Sequence, residues 1–283
     1  LTGKPGLGSV IEEVFLLGNN QPIGVFDSGV GGLTVVKALM EKLPRESFIY
    51  FGDTANLPYG NKNESQLLGY AHSIIQFLLT RQVKAIVVAC GTHSSVTLPN
   101  IARDYSLPIL GVLKAGARSA VRATRNGKIG VAATQATANS RAYTREIQSL
   151  HPQLKVFEVA CPRFVPLIES GELDSPRVRE AVAEYLGPLV KEGIDCLVLG
   201  CTHYQFLTAV IADFLGPEIS LVDPSCDTVM DLAALLHEQS LENDQLTTPT
   251  REFYVSGNDE SFYNVGTLLI GDVIKEVERI RLD

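Results

Sequence analysis

Two short stretches of this sequence carry the same chemistry-bearing pattern. Residues 86–93 read Ile-Val-Val-Ala-Cys-Gly-Thr-His, and residues 197–204 read Leu-Val-Leu-Gly-Cys-Thr-His-Tyr. In each, an apolar run ends in a cysteine, Cys90 or Cys201, with threonine and histidine close behind. Two chemistries fit. One is a single thiolate nucleophile with a histidine base, an amide or ester hydrolase built on Cys201 and His203. The other is a pair of thiols flanking one carbon, each able to take or give a proton. The repetition favours the pair, because inversion at carbon needs a base on one face and an acid on the other. A nucleophile gives no reason for a second cysteine. Binding of an amino acid without turnover is a third reading. A metal centre is not expected, since no CxxC or HxxxH spacing accompanies these residues.

Ligands of open parallel sheets bind beyond the carboxyl ends of strands, and the other residues at such positions are small and polar. After PIGVF comes Asp27-Ser28-Gly29-Val30-Gly31-Gly32, and after FIYFG come Asp53 and then Pro58-Tyr59-Gly60. KIGVAA leads to Thr134 and Thr137, and KVFEVA to Cys161 and then Glu169. Hydroxyls and glycines dominate these turns, while Lys and Arg are absent. Hydroxyls and free amides at helix N-termini suit a small carboxylate or phosphate. DSGVGG is neither GxGxxG nor a P-loop; it reads as a tight strand-to-helix turn that Asp27 could cap. Cys161, Cys196 and Cys226 read as packing residues, and His72, His151 and His237 as structural.

The elements that must position these residues are legible as alternation. Apolar, β-rich runs recur as PIGVFD, FIYFGD, AIVVAC, PILGVL, KIGVAAT, KVFEVAC, CLVLGC, ISLVD and EFYVSG. Near-continuous apolar character marks strands buried on both faces. Between them, Val35, Val36, Leu39, Met40 and Leu43 form one helical stripe ended by Pro44. Leu67, Leu68, Ala71, Ile74, Ile75, Leu78 and Leu79 form a second. A third helix is expected from an Asp174 N-cap, with Pro176 in its first turn, to about Lys191. Strands alternating with helices predict an α/β protein of two similar α/β domains with largely parallel sheets and the site in the cleft between them. No linker marks a boundary, so the domains should exchange chain. The expected division is an N-terminal arm over 1–21, a first domain over 22–113 plus 223–283, and a second over 114–222.

Composition narrows the partners. The 283 residues are 45% hydrophobic and 20% charged, with 24 Lys+Arg against 32 Asp+Glu and a formal net charge of −8. That sign disfavours nucleic acid and anionic membranes. No run approaches the ~18 apolar residues of a membrane span. The leader, with Glu12 and Glu13, lacks the build of a signal peptide. Five scattered cysteines read as reduced and intracellular.

The motifs DSGVGGLTV, Asp53 with LPYG, VVAC-x-T, the Thr134/Thr137 pair, CPRFVPLIESG and LGCTHY occur in an order that resembles the glutamate racemases, from about Gly24 to Asp223. The resemblance implies cofactor-independent proton transfer interconverting L- and D-glutamate, which supplies D-glutamate for peptidoglycan in the cytoplasm, by a homodimer. It implies that Cys90 works on the D-enantiomer and Cys201 on the L-enantiomer, assisted by Asp27, Glu169 and His203, with Asp53 at another acidic position of the pattern. Asp27, Ser28, Tyr59, Gly60, Gly91, Thr92, Thr134, Thr137, Cys201, Thr202 and His203 match substrate-binding positions. No lysine stands in these loops to form a Schiff base, so no cofactor is expected. One departure stands out: the family usually reads Cys-Asn-Thr where this chain reads Cys90-Gly91-Thr92. Loss of that side-chain amide should cost about 1 kcal/mol in substrate binding unless water or His93 replaces it.

Overall fold

The computed structural model describes residues 19–244 and 247–282; most of the expected arm lies outside them. All nine expected strands form, as β1 (Ile23–Asp27), β2 (Phe48–Gly52), β3 (Ala85–Val88), β4 (Ile109–Gly111), β5 (Lys128–Ala133), β6 (Lys155–Ala160), β7 (Cys196–Leu199), β8 (Ser220–Val222) and β9 (Arg251–Val255). A two-residue β10 (Glu278–Arg279) adds an edge that the sequence did not suggest. The first sheet is ordered β10-β9-β2-β1-β3-β4 and the second β6-β5-β7-β8. Every pairing in both is parallel. Leaving aside β9 and β10, the sheets share one strand order, second-first-third-fourth. The fold is thus α/β with two parallel sheets.

Burial explains the apolar runs. β1, β2, β3 and β7 are buried along their whole length, as strands covered by helices on both faces must be. The Leu33–Lys42 helix buries Val35, Val36 and Leu39 and ends at Leu43, before Pro44. The Glu64–Thr80 helix opens with a capping box between Asn63 and Gln66. The third expected helix runs Pro176–Glu192, but its cap is Ser175, whose hydroxyl accepts from the Val178 amide, and not Asp174. With Pro176 fixed at the first helical position the cap must fall on the residue just before it. Asp174 instead accepts from Arg179 Nε at 2.7 Å. Cys226 departs from its packing role too, since it is exposed. Among the described residues no helix is long and apolar enough to cross a membrane.

At the end of the first sheet remote from the cysteine loops lies an ion pair of Lys84 and Glu46, 2.6 Å apart, with side chains 0% and 4% exposed. Lys84 also donates to the carbonyls of Asn19 and Leu241, at 2.6 and 2.7 Å. Removing one member of a buried pair strands the other. Lys84→Ala should therefore cost about 3–5 kcal/mol in urea unfolding. Its specific activity, measured on folded protein, should be unchanged.

Candidate active site

Cys90 and Cys201 occupy the same place on their respective sheets. Just before Cys90, the Ala89 amide donates to the Phe26 carbonyl at 2.9 Å; just before Cys201, Gly200 donates to Ala132 at 2.8 Å. The neighbouring strands repeat the match, since the Asp53 amide donates to Asp27 O and Cys161 to Ala133 O, at 2.9 and 2.8 Å. The echo between 86–93 and 197–204 is therefore an equivalence of third strands. Each cysteine ends the strand beside the first of its sheet, at the point where strand order reverses and ligands bind.

The two thiols line one cavity of about 370 Å³, within the range of small-molecule sites. Ser28, Tyr59, Gly60 and Thr92 line it from the loops of the first sheet, and Thr134 from those of the second. Asp27, Gly91, Thr137, Glu169, Thr202 and His203 are not among its lining residues. Neither Lys nor Arg is among its residues. Gln135, Tyr204 and Cys161 are among the lining residues that the sequence does not mark as site residues. Cys161 follows β6 where Asp53 follows β2, so its strand-end position was the available signal, set aside because buried cysteines usually pack.

The surroundings of the two catalytic candidates differ. Cys90 is 4% exposed. Burial first, and then the charge of Asp27, push its thiol well above the ordinary range, so it holds its proton. Asp27 is itself fully buried. Its Oδ2 accepts from the Gly32 amide at 2.6 Å and from Thr202 Oγ1 at 3.4 Å. Its Oδ1 has no hydrogen-bond partner among the described residues, an uncommon state for a buried carboxylate. Cys201 Sγ lies 3.7 Å from His203 Nδ1, and His203 Nε2 lies 2.6 Å from Glu169 Oε1. Burial works against a charge on His203, but its hydrogen bonds to Cys201 and Glu169, and their charges, raise it well above the usual histidine value. One thiol thus sits beside a carboxylate that keeps it protonated. The other sits beside an imidazole equipped to take its proton.

Hydroxyls tie the loops of the two sheets together. Thr92 Oγ1 and Thr134 Oγ1 are 2.9 Å apart, Thr134 donates to Thr137 Oγ1 at 3.0 Å, and Ser95 reaches Thr137 at 3.2 Å. Thr134 also caps the Gln135–Ser140 helix. Asp53 acts through Tyr59: it accepts the Tyr59 hydroxyl at 2.5 Å and Ser256 Oγ at 2.6 Å, which fixes the aromatic wall of the cavity.

His93 does not replace the missing amide at position 91. It is 0% exposed and packs edge-on against Phe26 and Tyr59. Its Nδ1 lies 3.0 Å from Thr97 Oγ1. Burial lowers its pKa to about 3. A histidine held below its unfolded value of ~6.5 takes up its proton only on unfolding, so the unfolded chain binds more protons and stability falls as pH drops. Between pH 7 and pH 5 the loss should be about 2 kcal/mol. Read by urea unfolding, the change in stability between the two pH values should differ by that amount between the wild type and His93→Phe.

Position 91 has no room for a side chain. A Cβ there would come within 2.2 Å of the Gly200 carbonyl oxygen, so the asparagine of the family pattern could not be placed without parting the two cysteine loops.

Two thiols at equivalent strand ends of one cavity, in unlike surroundings, are chemically suited to proton transfer at carbon. The Asp/Glu/Hydantoin racemase family model matches residues 25–227. The glutamate racemase of Syntrophus aciditrophicus (strain SB) is 47% identical over 262 residues, 92% of this chain and 97% of its own length. Two solved structures are similar throughout. That of the Francisella tularensis glutamate racemase in complex with D-glutamate has a TM-score of 0.88 at 37% identity, over 94% of this chain and 99% of that one. That of the Escherichia coli glutamate racemase in complex with L-glutamate and the activator UDP-MurNAc-ala has a TM-score of 0.77 at 28% identity, over 93% and 99%. The chain belongs to the Asp/Glu/Hydantoin racemase family, as an amino-acid racemase, and its place within that family is among the glutamate racemases.

Proposed function

We propose that the protein interconverts L- and D-glutamate by direct proton transfer at Cα between two thiols, and so supplies D-glutamate for peptidoglycan. The observation that supports this most is the equivalent placement of Cys90 and Cys201 on one cavity. In the L-to-D direction, Cys201 gives its proton to His203 and the thiolate takes the Cα proton of L-glutamate. The electron pair left on Cα spreads into the substrate carboxylate. Cys90 then delivers its proton to the opposite face, leaving D-glutamate, a thiol on Cys201 and a thiolate on Cys90. The reverse direction exchanges the two roles.

Glu169 orients His203 and stabilises its charge. Asp27 assists Cys90, its Oδ1 left without a hydrogen-bond partner among the described residues. Ser28, Tyr59, Gly60, Gly91, Thr92, Thr134, Thr137 and Thr202, with Cys201 and His203, make up the substrate site, directly or from the layer behind. With no cationic side chain in the lining, hydroxyls and backbone amides hold both substrate carboxylates and meet the charge developing at Cα. The lobes divide as 22–113 with 223–283 and 114–222. The protein works as a cytoplasmic homodimer, which sedimentation of the purified protein would test.

Cys201, His203 and Glu169 alone also have the layout of a thiol nucleophile, its base and an orienting acid. A hydrolase of that kind would survive loss of Cys90. The direct test of the proposal is incubation of purified protein with either pure enantiomer. An equimolar mixture of enantiomers is expected from both. Folded protein that produces neither the opposite enantiomer nor exchange of Cα hydrogen with solvent would refute it.

A further inference from the structure

Three glycines of the first lobe lie directly against the surroundings of Cys201. A Cβ on Gly29 would come within 2.2 Å of Glu169 Oε1, on Gly31 within 2.3 Å of His203 Nδ1, and on Gly91 within 2.2 Å of the Gly200 carbonyl oxygen. None of the three is among the glycines with positive φ, so their backbone conformation is open to any residue. What each supplies is bare space for the opposite lobe. Between Gly29 and Gly31, the Val30 amide donates to Glu169 Oε1 at 3.1 Å. That oxygen is the one 2.6 Å from His203 Nε2. The loop is braced from beneath, with Tyr50 donating to the Gly29 carbonyl and Gly32 to Asp27, both at 2.6 Å.

We propose that Gly29, Gly31 and Gly91 form a positioning seam, on which the Glu169–His203 relay of Cys201 is assembled only when the two lobes are closed. The inference rests on the two-thiol reading above. Glu169 and His203 both belong to the second lobe, yet the carboxylate is anchored by an amide of the first. Parting the lobes removes that amide, frees Glu169 towards solvent and leaves His203 without its aligned acceptor. Without that carboxylate beside it, the imidazolium loses its stabilising partner. Closing over substrate and arming Cys201 become one event, which limits proton abstraction to the closed, water-poor site. Gly91 is the member of the seam at which this chain departs from the family pattern. There it sets the approach of the two cysteine loops.

The test uses Gly31→Ala and Gly91→Ala in the full chain, with Gly69→Ala as control, because a Cβ at Gly69 meets nothing within 4 Å. Peptide-resolved alkylation by iodoacetamide as a function of pH reports each thiolate separately from turnover. In Gly31→Ala the Cys201 profile should move up by about one pH unit, with the Cys90 profile unmoved. Its kcat/KM should fall about 100-fold, as for a displacement of about 1 Å. Gly91→Ala should lose about tenfold or more in kcat/KM, and Gly69→Ala nothing.

An unmoved Cys201 profile in folded Gly31→Ala, or full activity of Gly91→Ala, overturns the seam. If Gly31→Ala does not fold, hydrogen exchange at the Val30 amide decides. It should be about tenfold faster or more in Glu169→Ala than in the wild type, and equal rates overturn the proposal. Wild-type protein inactive on both enantiomers would instead refute the racemase reading. Active wild type with unchanged Cys201 alkylation in Gly31→Ala refutes the seam alone.

Discussion

Serine at either Cys90 or Cys201 should abolish racemisation in both directions, by about 1,000-fold or more, in protein that unfolds at the wild-type temperature. In the proposed mechanism the cost is large because each thiol is acid in one direction and base in the other. Neither variant can therefore keep one direction. The equilibrium constant between enantiomers is unity, so kcat/KM must fall equally for L- and D-glutamate. The fold should tolerate serine, which is nearly isosteric and sits at strand-end positions only 4% and 6% exposed. A half-reaction separates the two thiols. With glutamate analogues carrying a leaving group on Cβ, removal of the Cα proton expels that group and needs no second thiol. Cys90→Ser should then retain elimination from the L-analogue alone, and Cys201→Ser from the D-analogue alone. Hydrolysis of an amide or ester by Cys90→Ser at the wild-type rate would contradict the two-thiol account and support the nucleophile.

The second large effect concerns His203. Burial opposes a charge on its imidazole, but Cys201 and Glu169 raise it well above the usual histidine value, which places a cation beside the Cys201 sulfur. His203→Asn should move the acidic limb of kcat/KM up by at least about one pH unit and lower its value at pH 7 about 100-fold. Glu169→Gln, which keeps a group near His203 but removes the charge, should shift the limb the same way by less. The sign follows from the ion pair, because an imidazolium favours the neighbouring thiolate and its loss requires higher pH to form it. An acidic limb that stays in place in His203→Asn would assign His203 to packing.

Much of this site was legible in the sequence because it consists of strand ends. Nine apolar runs became strands, and the polar residues just after them became the mouth of a cavity, since parallel sheets offer ligands only that edge. The repeated Cys-x-Thr-His and Cys-Thr-His segments proved to be equivalent third strands, down to their backbone hydrogen bonds. What stayed hidden depends on contacts between lobes, which no local pattern encodes. Asp53 stands at an acidic position of the family pattern with no role assigned by the sequence, and in the fold it clamps Tyr59. Gly91 looked like a lost substrate contact, and it is a point where two loops touch. DSGVGG gave no clue that its glycines face Glu169 and His203, because their partners lie over a hundred residues away. Cys161 lines the cavity with the same strand-end signal as its neighbours, but burial alone cannot separate a packed thiol from a lining one.

In the proposed mechanism the proton leaving one face of Cα and the proton arriving at the other belong to different thiols. Conversion of unlabelled L-glutamate in deuterated water, stopped early, measures this directly. The D-glutamate formed should carry one deuterium at Cα, delivered by Cys90 after exchange with solvent. The remaining L-glutamate should carry none. D-glutamate that keeps its original hydrogen, or L-glutamate that gains deuterium as fast as product forms, would mean a single group serves both faces.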